Sequence, residues 1–153
     1  MNKKVCFVSS SGGHLEEISK LYIVSDKYEN ILITEKNSFT QSAFGKKQYF
    51  LPQINRKEVF FIFKFINIFF KSLIILLKEK PDVIISTGAL ASYPCCLLGK
   101  IMRKKIIYIE SFARCDKPSL TGKLVYKFAD LFIVQWEEML EFYPNAIYGG
   151  GIF

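Results

Sequence analysis

Short apolar runs alternate with longer stretches of helical pattern along most of the chain. Val5–Val8, Ile31–Thr34, Val83–Ser86, Lys105–Ile109 and Leu131–Gln135 are compact runs rich in Val and Ile, and Gln48–Leu51 is a weaker run ended by Pro52. Near-continuous apolar runs of this length predict strands buried on both faces. Between them the pattern predicts helices over Leu15–Val24, Glu58–Lys80, Ser92–Met102 and Ser119–Asp130. Lys36–Lys47 is polar and predicts a loop, as does the tail around Gly149-Gly150-Gly151. Strands and helices that alternate in this way predict an α/β fold. The expectation is one Rossmann-like domain over residues 1–153, a parallel sheet of about six strands with helices on both faces.

The longest apolar stretch, Val59 to Leu77, is broken by Lys64, Asn67, Lys71 and Ser72. At about 100° per residue, Lys64, Asn67, Lys71 and Lys78 fall within an arc of roughly 60°. A helix here has one narrow basic stripe and a wide apolar face. Three readings are open. A transmembrane helix would hold two lysines in its middle third, which is costly in lipid. A core helix needs one apolar face, and Phe60, Phe61, Phe63, Phe65, Phe69 and Phe70 exceed that need. A helix packed on the sheet with one flank in the membrane lets the lysines reach anionic headgroups while phenylalanines sit among acyl chains. In that reading Phe61, Lys64, Phe65 and Lys71 are the membrane contacts.

Charge narrows the choice of partner. Lys and Arg number 21 against 14 Asp and Glu, a net charge of +7, in a chain that is half hydrophobic. That balance suits an anionic membrane surface or phosphate-bearing ligands and excludes a disordered chain. There is no dense Lys/Arg block with interleaved aromatics, so nucleic acid is not an expected partner. The cysteines Cys6, Cys95, Cys96 and Cys115 show no C-x-x-C spacing, and His14 is the single histidine, so no metal is expected. No cofactor is expected either, and there is no Asp-x-Asp sequence to coordinate a diphosphate-bound cation. Met1-Asn2-Lys3-Lys4 leads into an apolar run too short for the core of a signal peptide, so the first strand is expected to open the fold.

Three loops follow strands directly: Ser9–His14, Ser86–Ala89 and Glu110–Arg114. In an open parallel sheet they share the carboxyl edge, where ligands bind. Gly12 and Gly13 permit positive φ, and backbone N–H groups at the helix start could hold an anion or sugar oxygens. His14 falls at a helix N-terminus, where the positive dipole end is expected to lower the imidazole pKa. A neutral imidazole near pH 7 can act as a base. The plainer alternative is a tight turn with a capping His. Thr87 and Gly88 repeat the pattern, or form an ordinary strand-to-helix turn. Glu110-Ser111-Phe112-Ala113-Arg114 sets a carboxylate, a hydroxyl and a guanidinium after a buried strand. Glu110 could accept from substrate hydroxyls and Arg114 could pair with a phosphate. The alternative is a Glu–Arg ion pair followed by a helix capped at Ser119 or Thr121.

Ser10-Ser11-Gly12-Gly13-His14, Pro81-Asp82 with Thr87-Gly88, and above all the block from Glu110-Ser111-Phe112-Ala113-Arg114 through Pro118-Ser119-Leu120-Thr121-Gly122-Lys123, Tyr126 and Ala129-Asp130 to Gln135-Trp136 resemble the Alg-fourteen-like oligosaccharide biosynthesis proteins. These include bacterial capsule and exopolysaccharide subunits. The Gly-Gly-His loop is also similar to that of MurG, the lipid II-forming GlcNAc transferase whose N-terminal half binds the lipid acceptor. The resemblance implies one half of a GT-B glycosyltransferase, of the N-terminal type. Such a half recruits a separate UDP-sugar-binding catalytic subunit to the membrane and binds a polyprenyl-diphosphate-linked saccharide. It would work at the cytoplasmic face of the cell membrane as a peripheral or monotopic protein. His14 then becomes the candidate base, with Glu110 in catalysis and Ser11, Gly12, Gly13, Thr87, Gly88, Ser111 and Arg114 on the acceptor side. Eukaryotic members carry an N-terminal transmembrane anchor. Here attachment would depend on the Val59–Leu77 helix or on the partner, and Ile147–Phe153 is a candidate docking element. Two other functions fit the residues. One is a membrane scaffold with His14 chemically idle. The other is a stand-alone nucleotide-binding protein with Glu35 on a ribose.

Overall fold

A computed structural model describes residues 3–36, 44–55 and 57–152. Much of the polar stretch expected as a loop, residues 37–43, lies outside the described residues. Among the described residues seven strands form one sheet: β1 (Lys4–Ser9), β2 (Glu29–Glu35), β3 (Gln48–Leu51), β4 (Val83–Gly88), β5 (Lys105–Ile109), β6 (Leu131–Val134) and β7 (Ile147–Tyr148). Their order is β3-β2-β1-β4-β5-β6-β7, and every neighbouring pair is parallel. The chain therefore builds outward from β1 to β3, crosses back, and builds outward again from β4 to β7. The reversal point lies between β1 and β4.

The six expected strands are present and β7 is additional. Its two residues are both exposed, so no apolar run marks it. Backbone pairing alone creates it: Ile147 and Tyr148 register with Ile133 and Val134, and the Gly149 amide donates to the Val134 carbonyl at 3.0 Å.

Strand side chains alternate between two cores, as the pleat requires. Val5, Phe7 and Leu32 point to the face covered by α1 (Gly13–Ser19) and α2 (Tyr22–Lys27). Cys6, Val8, Ile31, Ile33, Ile84 and Ile106 point to the face covered by α3 (Phe61–Glu79), α4 (Tyr93–Ile101) and α5 (Leu120–Tyr126). The single helix expected over Leu15–Val24 is thus two. Its apolar residues Leu15, Ile18, Leu21 and Val24 recur every third position. A straight α-helix would rotate such a row away from the sheet. Lys20 and Leu21 instead donate to carbonyls three residues back, a tightened turn that keeps all four on the core side. The helix expected over Ser119–Asp130 is shorter, with Ser119 as its cap: the Ser119 hydroxyl accepts from the Gly122 amide at 2.8 Å.

Helix α3 has three flanks. Ile68, Ser72, Ile75, Leu76 and Glu79 are buried against the sheet. Ile62, Phe63, Ile66, Phe70, Ile74 and Leu77 form an exposed apolar stripe, with Phe63 72% exposed. Lys64, Lys71 and Lys78 lie between the two. Among the described residues no helix is long and apolar enough to cross a membrane. The arrangement is the sheet-packed helix with one unpartnered apolar flank. Phe61 and Phe65, expected as membrane contacts, lie off the exposed stripe. Both rings are half-buried and stacked on each other, 5.9 Å apart, on the side that turns toward the sheet. Lys64 pairs with Glu58, and Lys71 is exposed.

The end of α3 is tied to the sheet through Glu79. Its buried carboxylate accepts from Lys4 at 2.6 Å, and from the Lys47 ammonium and the Tyr49 hydroxyl. These donors, Lys4 first, pull its pKa from 4.5 down to about 2. The folded-state pKa is depressed, so this contribution to stability is complete above pH 4.5 and is lost as pH falls toward 2. Glu79→Gln is expected to cost roughly 2 kcal/mol near pH 7. It should also flatten the acid limb of stability below pH 4.5, which urea titrations at stepped pH measure.

Candidate functional site

The reversal point of the sheet gathers the loops after β1 and β4. Ser9 at the end of β1 sits in register with Gly88 at the end of β4. His14 and Thr87 then bond reciprocally across the gap. The His14 Nδ1 donates to the Thr87 carbonyl at 2.9 Å, and the Thr87 hydroxyl donates to the His14 carbonyl at 2.8 Å. A carbonyl only accepts, so Nδ1 carries the hydrogen and the neutral ring keeps its lone pair on Nε2. Gly88 makes room for this ring. Its φ is 107°, and a Cβ there would lie 3.4 Å from His14 Cε1 and 2.8 Å from the Tyr108 hydroxyl.

Glu17 stands one turn behind His14. Its carboxylate is buried, and Oε2 lies 3.6 Å from His14 Nδ1. Oε1 accepts from the Phe112 amide at 2.6 Å and the Ser111 hydroxyl at 3.2 Å, which ties α1 to the loop after β5. Burial, the largest single influence, opposes the charged imidazole, but the Glu17 carboxylate, the Thr87 carbonyl and the more distant Glu110 charge together outweigh it, and the His14 pKa is raised. This reverses the dipole-based expectation of a lowered value. A buried carboxylate one turn away outweighs the end of a helix of seven residues.

Two more buried carboxylates fix the surrounding loops. Glu110 is 1% exposed. It accepts from the Ser111 amide at 3.1 Å, the Ser119 hydroxyl at 2.7 Å, the Ser119 amide at 3.2 Å and the Tyr143 hydroxyl at 2.7 Å. Burial, and then the hydrogen bond to Glu110, push the Tyr143 phenol well up. Glu110 has no ion pair with Arg114. All its acceptor capacity is turned inward, so it is a structural hub and not the substrate-facing carboxylate expected from its position. Glu35 accepts from the Ile54 amide at 3.0 Å and from the Ser11 amide, and burial raises its pKa. It pins the first loop and is not free for a ribose.

The expected site residues therefore divide. Ser11, Gly12, Gly13, His14 and Arg114 reach the surface of the carboxyl edge. Thr87, Gly88, Glu110 and Ser111 are buried and support them. Ser111 serves Glu17 and not an acceptor. Gly12 has φ 75°, and there is open space beside both Gly12 and Gly13. The pattern missed Glu17, Gln135 and Tyr143. The three-residue spacing of His14 and Glu17 on one helix face was the available signal for the first. Gln135 donates to the Glu110 carbonyl at 2.9 Å and accepts from the Ile152 amide at 2.8 Å, joining the tail to the same edge.

The model of the family described as "Oligosaccharide biosynthesis protein Alg14 like" matches residues 5–152. The chain belongs to this family. The human UDP-N-acetylglucosamine transferase subunit ALG14 is 29% identical over 178 residues, covering 97% of this chain and 82% of the relative. Among solved structures, MurG of Acinetobacter baumannii superposes with a TM-score of 0.72 at 13% identity, over 89% of this chain and 42% of MurG. UDP-N-acetylglucosamine 2-epimerase of Rickettsia bellii gives 0.77 at 15%, over 99% of this chain and 46% of the epimerase. At such identities the likeness is one of fold, and the chain spans less than half the length of either enzyme. In this Alg14-like protein Glu110→Gln is expected to remove about 2–4 kcal/mol of stability, because one donor group is left facing an amide. A thermal melt reads this as a drop of about 2–4 °C per kcal/mol. An unchanged melt with lost activity would return Glu110 to the chemistry.

Proposed function

We propose that this Alg14-like chain is the acceptor-side subunit of a two-component glycosyltransferase acting in capsule or exopolysaccharide synthesis. It binds a polyprenyl-diphosphate-linked saccharide at the cytoplasmic face of the cell membrane. A separate subunit brings the UDP-sugar and completes the cleft, and the tail at Ile147–Phe153 is one surface for it. The observation that carries this reading is the His14–Thr87–Glu17 arrangement at the reversal point of the sheet, the position where open α/β sheets bind ligands. The exposed apolar stripe of α3 supplies attachment to the bilayer.

In this mechanism the acceptor hydroxyl attacks the anomeric carbon of the donor sugar. The new carbon–oxygen bond forms as the bond to UDP breaks, and the diphosphate leaves with the electron pair. The hydroxyl proton passes to His14 Nε2. Thr87 holds the tautomer that makes this possible, and Glu17 stabilises the imidazolium that forms. Ser11, Gly12 and Gly13 border the acceptor, and Arg114 meets its diphosphate.

The experiment is transferase activity on a membrane lipid acceptor, with this chain, its partner subunit, and both together. Activity in the mixture alone is expected. His14→Ala should then lower kcat by about 10²–10⁴-fold. An unchanged rate would leave the chain a membrane scaffold with an idle His14. The rate should rise with pH through a pKa above the ordinary 6.5, because His14 must be neutral to accept the proton. Glu17→Gln removes the foremost of the groups that raise this pKa, so the limb should move to lower pH. A limb that does not move would separate Glu17 from the base.

A further inference from the structure

We propose that a groove between α3 and β3 is a seat for the phosphate headgroup of an anionic membrane phospholipid. The groove holds about 270 Å³ and is lined by Tyr49, Phe50, Lys71, Ile74, Ile75 and Lys78. This rests on the membrane reading of α3 and gives it a defined binding position.

Three observations converge on the groove. The first is its charge. Of the three lysines in the basic stripe, Lys64 is neutralised by Glu58, while Lys71 and Lys78 have no carboxylate partner among the described residues. These two line the groove. The second is its place around the helix. Ile74 belongs both to the groove wall and to the exposed apolar stripe, which also includes Phe70 and Leu77. With that stripe among acyl chains, the lysine flank beside it sits at headgroup depth, where ammonium groups meet lipid phosphate. Tyr49 and Phe50 of the edge strand β3 line its other side. The third is its place along the helix. Lys78 precedes Glu79, whose carboxylate binds Lys4 at the first residue of β1. The Lys78 end of the groove therefore lies toward the amino edge of the sheet, and His14 lies at the carboxyl edge. The lining residues include none from the loops after β1 and β4 that surround His14. A phosphate held here belongs to the surrounding bilayer and not to the sugar acceptor.

A seated headgroup does more than add charge. It fixes the rotation of α3 about its own axis relative to the membrane plane, and so sets the height and tilt of the carboxyl edge.

Vesicle flotation tests this with three compositions: phosphatidylcholine alone, phosphatidylcholine with phosphatidylglycerol, and phosphatidylcholine with polyprenyl monophosphate at matched surface charge. The full chain is expected to bind the phosphatidylglycerol vesicles. Lys71→Gln with Lys78→Gln should weaken that binding about thirtyfold. Both side chains are exposed, so the variant keeps the fold. The charge-matched control, Lys123→Gln on the far helix α5 with Lys127→Gln at its C-terminal cap, should change it less than about threefold. Equal losses in the two variants would mean diffuse attraction and overturn the groove while the membrane reading stands. A loss confined to polyprenyl monophosphate vesicles would assign the groove to the acceptor lipid and overturn the proposal. Absence of wild-type binding to every vesicle would overturn the membrane reading itself.

Discussion

The Glu110 carboxylate holds the carboxyl edge of this sheet together. A buried charge is tolerated only when its lone pairs are occupied, and here four donors occupy them. They come from the loop after β5, from the start of α5 and from the segment that leads to β7. The space is closed by Gly122, where a Cβ would lie 2.1 Å from Glu110 Oε2. The Glu110 carbonyl meanwhile accepts from Gln135, whose own carbonyl receives the Ile152 amide. One residue thus orders both sides of its strand end. Glu17 and Glu35 repeat the device on neighbouring loops, so the exposed glycines and His14 stand on a floor of buried carboxylates.

Much of this arrangement was legible in the chain. Parallel strands are buried on both faces, so their Val and Ile runs stand out against polar surroundings. The sharing of one edge by Ser11, His14, Thr87 and Arg114 followed from their loops coming directly after strands of a parallel sheet. What the pattern could not separate was a carboxylate facing substrate from one facing its own backbone. Glu110 and Glu35 each follow or end a strand, and both readings use the same residue type in the same place. Glu17 was hidden for a related reason. An acidic residue in an early helical turn reads as a solvated, dipole-stabilising group, and only the packing of α1 under the loop after β5 buries it. β7 was invisible because two exposed residues held by backbone bonds carry no side-chain pattern.

Helix α3 carries two apolar faces, one buried on the sheet and one exposed. A helix over a sheet needs a single apolar face. This one has a second, separated from the first by lysines on one flank and by contact with α4 on the other. Phenylalanine count alone did not locate that second face. Phe61 and Phe65 turn inward while Phe63 and Phe70 turn outward, and only the position of the sheet decides between them.

The central place of β1 has a consequence for how the molecule is made. Its two neighbours differ greatly in sequence distance: β2 begins at Glu29, whereas β4 begins at Val83. On a ribosome, the first strand emerges long before the segment that covers its second edge. Until then an apolar strand and the phenylalanine-rich α3 are both open to other chains. Non-local parallel pairing is slow to form. Early engagement of α3 with a bilayer would remove the stickiest surface from solution while β1 waits for β4.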